Sequence, residues 1–140
     1  MATVRLEFSP EPAHVRTARL VGVAVARKAG LGEDRLDDVR LAIGEACGRA
    51  VTRHLRHGIR GVVRVEMRVE NPYTILVTDS APDDGYGDFE DEITIEASLA
   101  LLSGLAEDLQ VTPVAEGMGS VVRMAWNVKP PSTSRLRFRS

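Results

Sequence analysis

The sequence lacks a second cysteine, a marked excess of charge of either sign and any long apolar run. Because Cys47 is the only cysteine, no internal disulfide can form. The 18 basic and 20 acidic residues leave a net charge of −2, so no basic field exists to hold nucleic acid. The longest mostly apolar stretch, residues 20–26, is far too short to cross a bilayer, and residues 1–8 contain no apolar signal region. We therefore expect a cytoplasmic protein that binds neither nucleic acid nor a membrane.

The composition is that of one globular domain. Of the 140 residues, 44% are hydrophobic and 27% are charged, which is ordinary for a chain that buries a core. Residues 130–140 differ, because they carry Arg135, Arg137 and Arg139 and few apolar side chains. We predict a single domain over residues 1–129 and a disordered basic tail over residues 130–140.

The first half of the chain predicts one strand and two helices. Apolar and charged residues alternate over residues 4–8, which indicates a half-buried strand. Ser9 is a candidate N-cap, with Pro10 and Pro12 near the first turn of a helix whose apolar spacing runs over residues 15–29, and Gly30 suits its C-terminal end. A second helix is predicted over residues 34–57, with a stripe of buried residues on one face: Leu36, Val39, Ile43, Ala46, Cys47 and Ala50.

The second half predicts a hairpin, a loop, a helix and two closing strands. Residues 63–69 and 73–77 alternate in polarity around Asn71-Pro72, as in an antiparallel pair. Residues 79–92 hold seven carboxylates and no basic residue, so we expect an acidic loop. A short helix carries Leu99, Leu102, Leu105 and Leu109, and strands follow over residues 111–114 and 120–128. The order β-α-α-β-β-loop-α-β-β predicts an α/β two-layer sandwich, with a mixed, mostly antiparallel sheet and helices on one face.

Several standard sites are absent from the pattern. Gly85 and Gly87 lack the third glycine of a dinucleotide fingerprint. His54 and His57 could share a metal ion, but no third ligand lies near them in sequence, and histidines near a helix C-terminus also complement its dipole. We predict no metal ligands, and we interpret Cys47 as a buried small apolar residue.

The most informative stretch is residues 36–47, LDDVRLAIGEAC, which continues as GRAV. Together with the predicted topology, it resembles the helix that carries the catalytic glutamate in the GHKL ATPase fold. More narrowly, it resembles the anti-sigma-factor serine kinases of the RsbW and SpoIIAB type. The resemblance spans residues 3–128 and includes Asp79 at the end of a strand and a turn with Gly117 and Gly119.

The resemblance implies roles for particular positions. Glu45 matches the family's catalytic base, and Asp79 matches the aspartate that recognises the adenine amino group. Arg49 stands where the family has an asparagine that binds Mg²⁺. The resemblance thus implies these candidate nucleotide-site residues: Glu45, Arg49, Asp79, Gly85, Gly87, Gly117 and Gly119.

The departures from the family pattern weaken that site. A guanidinium about 4 Å from Mg²⁺ would be repelled by ~8 kcal/mol at an effective dielectric near 20. Arg49 would therefore swing away or pair with Glu45 one turn earlier. The glycines expected after the aspartate are replaced by Ala81 and Asp83, and residues 96–98 (EAS) stand at the expected phosphate cradle. We expect no cofactor, and in particular no useful affinity for Mg-ATP.

The leading hypothesis is an anti-sigma-factor-like regulatory protein that binds a sigma factor, a STAS-domain anti-anti-sigma protein, or both. The resemblance also implies a homodimer. Candidate contact surfaces are the acidic residues 83–92 and the basic residues Arg40, Arg53 and Arg56. An alternative hypothesis is an active ATP-dependent serine kinase that phosphorylates a STAS partner, with Glu45 as base. A third is a pocket that binds another nucleotide or metabolite through Arg49.

Overall fold

The computed structural model describes residues 2–82, 89–115 and 117–128, with the backbone alone over residues 89–96. In this part of the chain the elements follow in the order β1 (Ala2–Phe8), α1 (Pro12–Ala29), α2 (Glu33–Arg56), β2 (Val63–Val69), β3 (Tyr73–Asp79), α3 (Phe89–Leu105), β4 (Asp108–Pro113) and β5 (Ser120–Trp126). The predicted order of helices and strands is confirmed.

The five strands of the described residues form one sheet in the order β1-β2-β3-β5-β4. Every pairing in that sheet is antiparallel, and rows of apolar side chains cross it, such as Leu6, Val65, Val77 and Val122. Alternation along each strand turns these side chains towards the helices and leaves charged ones on the opposite face. The predicted two-layer α/β sandwich is confirmed, with an antiparallel sheet.

The core lies between the sheet and the two long helices. The predicted stripe of α2 is buried throughout, from Leu36 to Ala50, each at most 2% exposed. It packs with Val63, Val65, Met67, Ile75 and Trp126 in one hydrophobic cluster. The hydroxyl of Tyr73 donates a hydrogen bond to the carbonyl of Gly22 in α1, which satisfies the one polar atom of a fully buried ring.

Several boundaries differ from the sequence-based prediction by a few residues. Helix α1 begins at Pro12, two residues later than an N-cap at Ser9 would place it, because a proline in the first turn has a suitable φ and needs no donor. Its N-cap is Glu11, not Ser9, whose hydroxyl instead donates to the Glu11 carboxylate. At its C-terminal end Gly30 has a φ of +102°, as predicted.

The second half contains further corrections, since β4 begins at Asp108 rather than at residue 111 and β5 ends at Trp126 rather than at residue 128. Helix α3 begins at Phe89, so the last part of the predicted acidic loop is helical. Leu109 lies in β4 rather than in the helix, because α3 ends at Leu105 and the chain then pairs with β5. The indole N–H of Trp126 donates to the carbonyl of Leu105 and caps that end.

Some predictions fall outside the described residues. Residues 83–88 of the acidic loop and residues 129–140 of the basic tail belong to this group, and the domain boundary at residue 129 therefore stays a prediction. Among the described helices, none combines the length and the apolar composition that crossing a bilayer requires.

Candidate functional site

One face of α2 carries Glu45, Arg49 and Arg53 at intervals of one turn, and the two arginines reach Asp79 at the end of β3. Asp79 is the last residue of β3 and is 1% exposed, whereas the side chains of Arg49 and Arg53 are 11% and 13% exposed. Two guanidinium groups and one carboxylate are therefore held together with little access to water. The candidate site is centred on this cluster.

Both carboxylate oxygens of Asp79 accept hydrogen bonds from the protein. Its Oδ2 accepts from the hydroxyl of Ser120 at 2.7 Å and from Nε of Arg53 at 3.2 Å. Its Oδ1 accepts from the backbone N–H of Ala81 at 3.0 Å. Ser120 lies opposite Asp79 in the pairing of β3 with β5, which explains why its hydroxyl reaches the carboxylate. A buried charge is tolerated only when paired in this way.

The two arginines extend the cluster in different directions. Nη1 of Arg49 lies 3.7 Å from Oδ2 of Asp79 and donates to the Ser120 hydroxyl at 3.3 Å. Nη2 of Arg53 donates to the carbonyl of Ala81 at 3.1 Å and contacts the carbonyl of Pro82 at 3.5 Å. Arg53 therefore fastens the chain that leaves β3 to helix α2.

The position of Arg53 corrects the prediction that it lies on an exposed contact face. The guanidinium turns inwards because the buried Asp79 carboxylate needs a counter-charge. Arg40 and Arg56, the other two residues of that predicted surface, are exposed on α2. The predicted basic surface thus loses its central member.

His54 takes part in the same region as a buried connector. It is fully buried, and its Nε2 accepts from the backbone N–H of Ser80 at 2.9 Å. An acceptor at Nε2 places the proton on Nδ1, which donates to the carbonyl of Gly61 at 3.0 Å. Since both ring nitrogens are engaged, His54 has no lone pair for a metal ion. These two hydrogen bonds argue against a metal ion shared by His54 and His57.

Glu45 differs from its neighbours on α2. It is partly exposed, and it makes no hydrogen bond or ion pair with any residue in the part of the chain that the structure describes. The alternative in which Arg49 pairs with Glu45 is not adopted, because Arg49 turns to Ser120 and Asp79 instead. A carboxylate in this setting stays available to a ligand or to a partner.

The turn before β5 approaches the same strand end. Gly119 has a φ of +128°, and a Cβ there would lie 2.1 Å from the carbonyl oxygen of Asp79. Gly119 is thus required for the close approach that brings Ser120 to Asp79. Gly117 also has a positive φ, of +95°, but its Cβ would meet nothing within 4 Å. Gly85 and Gly87 lie outside the described residues.

The residues present do not fit the Mg-ATP that the resemblance implies. Arg53 and Ser120 already donate to Oδ2 of Asp79 and Ala81 donates to Oδ1, so this carboxylate, which is 1% exposed, keeps only one lone pair on Oδ1 for an adenine amino group. A cationic side chain at Arg49 stands where an amide oxygen would bind the metal. Within the described ranges, no group of three His, Cys, Asp or Glu side chains could hold a metal ion.

A second feature is a groove of ≈ 600 Å³ formed by α1 together with Arg40 of α2. Its lining combines four arginines with two apolar side chains: Arg16, Arg19, Leu20, Val23, Arg27 and Arg40. Arg27 pairs with Glu33, and Arg40 pairs with Asp37. Arg16 and Arg19 make no ion pair with the residues described, so the groove is positively charged.

Sequence reasoning missed Arg53 and Ser120 as members of the site. Arg53 follows Arg49 by one helical turn, so the spacing alone could have placed both on one face. Ser120 could be found only from the β3–β5 register, because it is 41 residues from Asp79 in the chain.

A family model described as a histidine kinase-like ATPase domain matches residues 8–126. That range includes the Asp79 cluster, the Gly117–Gly119 turn and the groove between α1 and α2. No curated protein matches the chain.

Proposed function

The chain belongs to the histidine kinase-like ATPase domain family, and on that premise we propose that it is an anti-sigma-factor-like regulatory protein with a degenerate ATP site. It binds a sigma factor, a STAS-domain anti-anti-sigma protein, or both, and it does so without turning over ATP. The observation that carries the proposal is the engagement of both oxygens of Asp79 by donors of the protein itself.

The engaged aspartate argues against nucleotide binding on energetic grounds. Unless an adenine amino group reaches the one remaining lone pair of Oδ1, Asp79 would have to give up the charge-assisted bond from Arg53 or the bond from Ser120 to accept it. Each such buried bond contributes about 1 to 3 kcal/mol, and the abandoned guanidinium would remain largely out of water. The nucleotide would have to offset that loss and also the charge of Arg49 near the metal.

The groove between α1 and α2 supports a role in binding proteins. Arg16, Leu20, Val23 and Arg27 follow one another along one stripe of α1, so basic ends flank an apolar centre. A groove between two helices accepts the apolar side of a third helix, and uncompensated arginines favour acidic residues beside it. The partner segment is therefore an amphipathic helix with Asp or Glu flanking its apolar stripe.

The alternative function is an active ATP-dependent serine kinase that phosphorylates a STAS partner. One observation favours it, namely that Glu45 has no partner among the described residues and is partly exposed, as a catalytic base requires. The third hypothesis, another nucleotide or metabolite bound through Arg49, is tested by a thermal-shift screen.

Isothermal titration with Mg-ADP separates the regulatory module from the kinase. We expect no binding heat with the folded wild-type chain, whereas micromolar binding would favour the kinase. The substitution Arg49→Asn should not restore binding by itself, because Arg53 still engages Asp79. Tight Mg-ADP binding by that variant would show that Arg49 alone had excluded the nucleotide.

The partner is tested with purified sigma factors and STAS-domain proteins from the source organism. Arg16 is exposed, so Arg16→Glu should leave folding unchanged and weaken the complex at least tenfold. Arg60→Glu is the matched control, since Arg60 is also exposed but lies outside the groove. If neither class of protein binds the wild-type chain, the proposed function is wrong.

A further inference from the structure

Helices α1 and α2 pack closely because each contributes a glycine to their contact. A Cβ at Gly22 of α1 would overlap the side chain of Ile43, which is fully buried in the core. A Cβ at Gly44 of α2 would lie 3.1 Å from Cδ of Arg19 and 3.3 Å from its Nη1. Gly22 therefore makes room for a core residue, whereas Gly44 makes room for a charged side chain that crosses from α1.

Only one of the two glycines in this part of α2 has such a neighbour. Gly44 and Gly48 lie one turn apart, and glycine is less stable than alanine in a helix interior. A Cβ at Gly48 would meet nothing within 4 Å among the described residues, so packing does not require a glycine there. At Gly44 a methyl group would take the space that Arg19 occupies. The position of Arg19 thus depends on Gly44.

Arg19 is the arginine of the groove between α1 and α2 that is best prepared for a partner's carboxylate. It lines the groove, it is only partly exposed, and it makes no hydrogen bond or ion pair with any residue in the ranges that the structure describes. Arg27 and Arg40 already pair with carboxylates of α2, and Arg16 is exposed. A guanidinium packed along a helix backbone has less hydration and less rotamer freedom to lose when a carboxylate binds it.

We propose that Arg19 binds a carboxylate of the partner helix, and that Gly44 is the residue that positions Arg19 for this contact. A guanidinium and a carboxylate form paired, charge-assisted hydrogen bonds, which fix the direction of the contact as well as its strength. Arg19 therefore determines where an acidic residue must lie beside the apolar stripe of that helix. This inference rests on the proposed function, and it names the contact through which the groove selects its partner.

The effect of Gly44 on Arg19 is measured without a partner, by NMR of the arginine Nε–Hε groups in the full chain. The signal of Arg19 is identified by its loss in Arg19→Met. Gly44→Ala should shift this signal more than that of any other arginine, and Gly48→Ala, the matched control, should leave it in place. Both alanine variants should be at least as stable as the wild type in urea, because alanine favours a helix and the partly exposed Arg19 side chain can turn into solvent.

The effect on binding is measured by isothermal titration with the purified sigma factor or STAS-domain protein that the wild-type chain binds. Arg19→Met should weaken the complex at least about tenfold, and Gly44→Ala should weaken it roughly fivefold. Combined with Arg19→Met, Gly44→Ala should cause no further loss, because Gly44 acts through Arg19. Gly48→Ala should bind as the wild type does. Unchanged or greater stability together with weaker binding is a result that a purely structural role of Gly44 would not give.

Failure of the inference can be told apart from failure of the proposed function. If the wild-type chain binds neither class of protein, both are wrong. If it binds one of them, but Gly44→Ala binds as tightly as Gly48→Ala or weakens the complex further in the Arg19→Met background, the inference alone is wrong. An unchanged Arg19 signal in Gly44→Ala would overturn it equally.

Discussion

Replacing Arg53 by methionine removes a charge from the edge of the core while keeping most of the side chain's volume. The variant would leave Asp79, which is 1% exposed, without its closest cation, whose Nε lies 3.2 Å from Oδ2. It would also remove the donor to the carbonyls of Ala81 and Pro82. The Asp79 carboxylate would keep its bonds from Ser120 and from the Ala81 N–H.

The expected loss follows from these contacts. Breaking a buried ion pair by removing one partner costs about 3 to 5 kcal/mol. Arg49 remains 3.7 Å from the same carboxylate and compensates part of its charge, so the free energy of unfolding should fall by about 2 kcal/mol. For a chain of 140 residues that corresponds to a decrease in Tm of roughly 5 to 8 °C.

Urea denaturation followed by circular dichroism measures this change. Arg40→Met is the matched control, because Arg40 lies on the same helix and pairs with Asp37 at 2.8 Å, but its side chain is 51% exposed. It should change the free energy of unfolding by less than about 0.5 kcal/mol. A double-mutant cycle with Asp79→Asn should give a coupling energy of at least ~1 kcal/mol. If Arg53→Met is no less stable than Arg40→Met, the assigned role of Arg53 is wrong.

Three further predictions concern other parts of the fold. Gly119→Ala should lower the free energy of unfolding by about 3 kcal/mol, and Gly117→Ala by about 1 kcal/mol. Both glycines have a positive φ, but only a Cβ at Gly119 would clash with the backbone at Asp79. Equal losses in urea titrations of the two variants would contradict this. The hydrogen bond from the Asn127 backbone N–H to the Glu107 carboxylate is the main cause that lowers the pKa of Glu107. The ionised carboxylate therefore stabilises the fold above the pKa of the unfolded chain, and this stabilisation is lost as the pH falls through the pKa of the folded chain. Glu107→Gln should therefore cost roughly 0.5 kcal/mol at neutral pH and less in acid, and a constant difference across that range would refute the assignment. Burial raises the pKa of the Cys47 thiol to about 12, so an aromatic disulfide reagent should modify it only as fast as urea opens the structure.

The fold was largely predictable because the spacing of apolar residues along the chain identifies most of its helices and strands. The period of the apolar residues in α2 places Leu36, Val39 and Ile43 on one face, and the structure buries all three. Alternation in β2 and β3 likewise predicts an antiparallel pair. The boundary error at Leu109 arose because its apolar spacing suits either a helix or a strand, and pairing with β5 made the choice. The error at Phe89 arose because the carboxylates up to residue 92 were interpreted as part of a loop, whereas α3 already begins at Phe89.

The sequence by itself determined the order of the elements, the face that each buries and the family to which the α2 pattern belongs. Tertiary structure alone decided which groups meet at the end of β3. Arg53 looked like a solvated charge on a helix, yet it turns inwards because the β3–β5 register buries Asp79 beside Ser120. His54 bridges Ser80 and Gly61 because the fold brings their backbone groups within hydrogen-bond distance of its two ring nitrogens. A buried charge or ring nitrogen pairs with a group that the tertiary fold brings within hydrogen-bond distance. The local periodicity of the sequence cannot predict which distant residues will come that close.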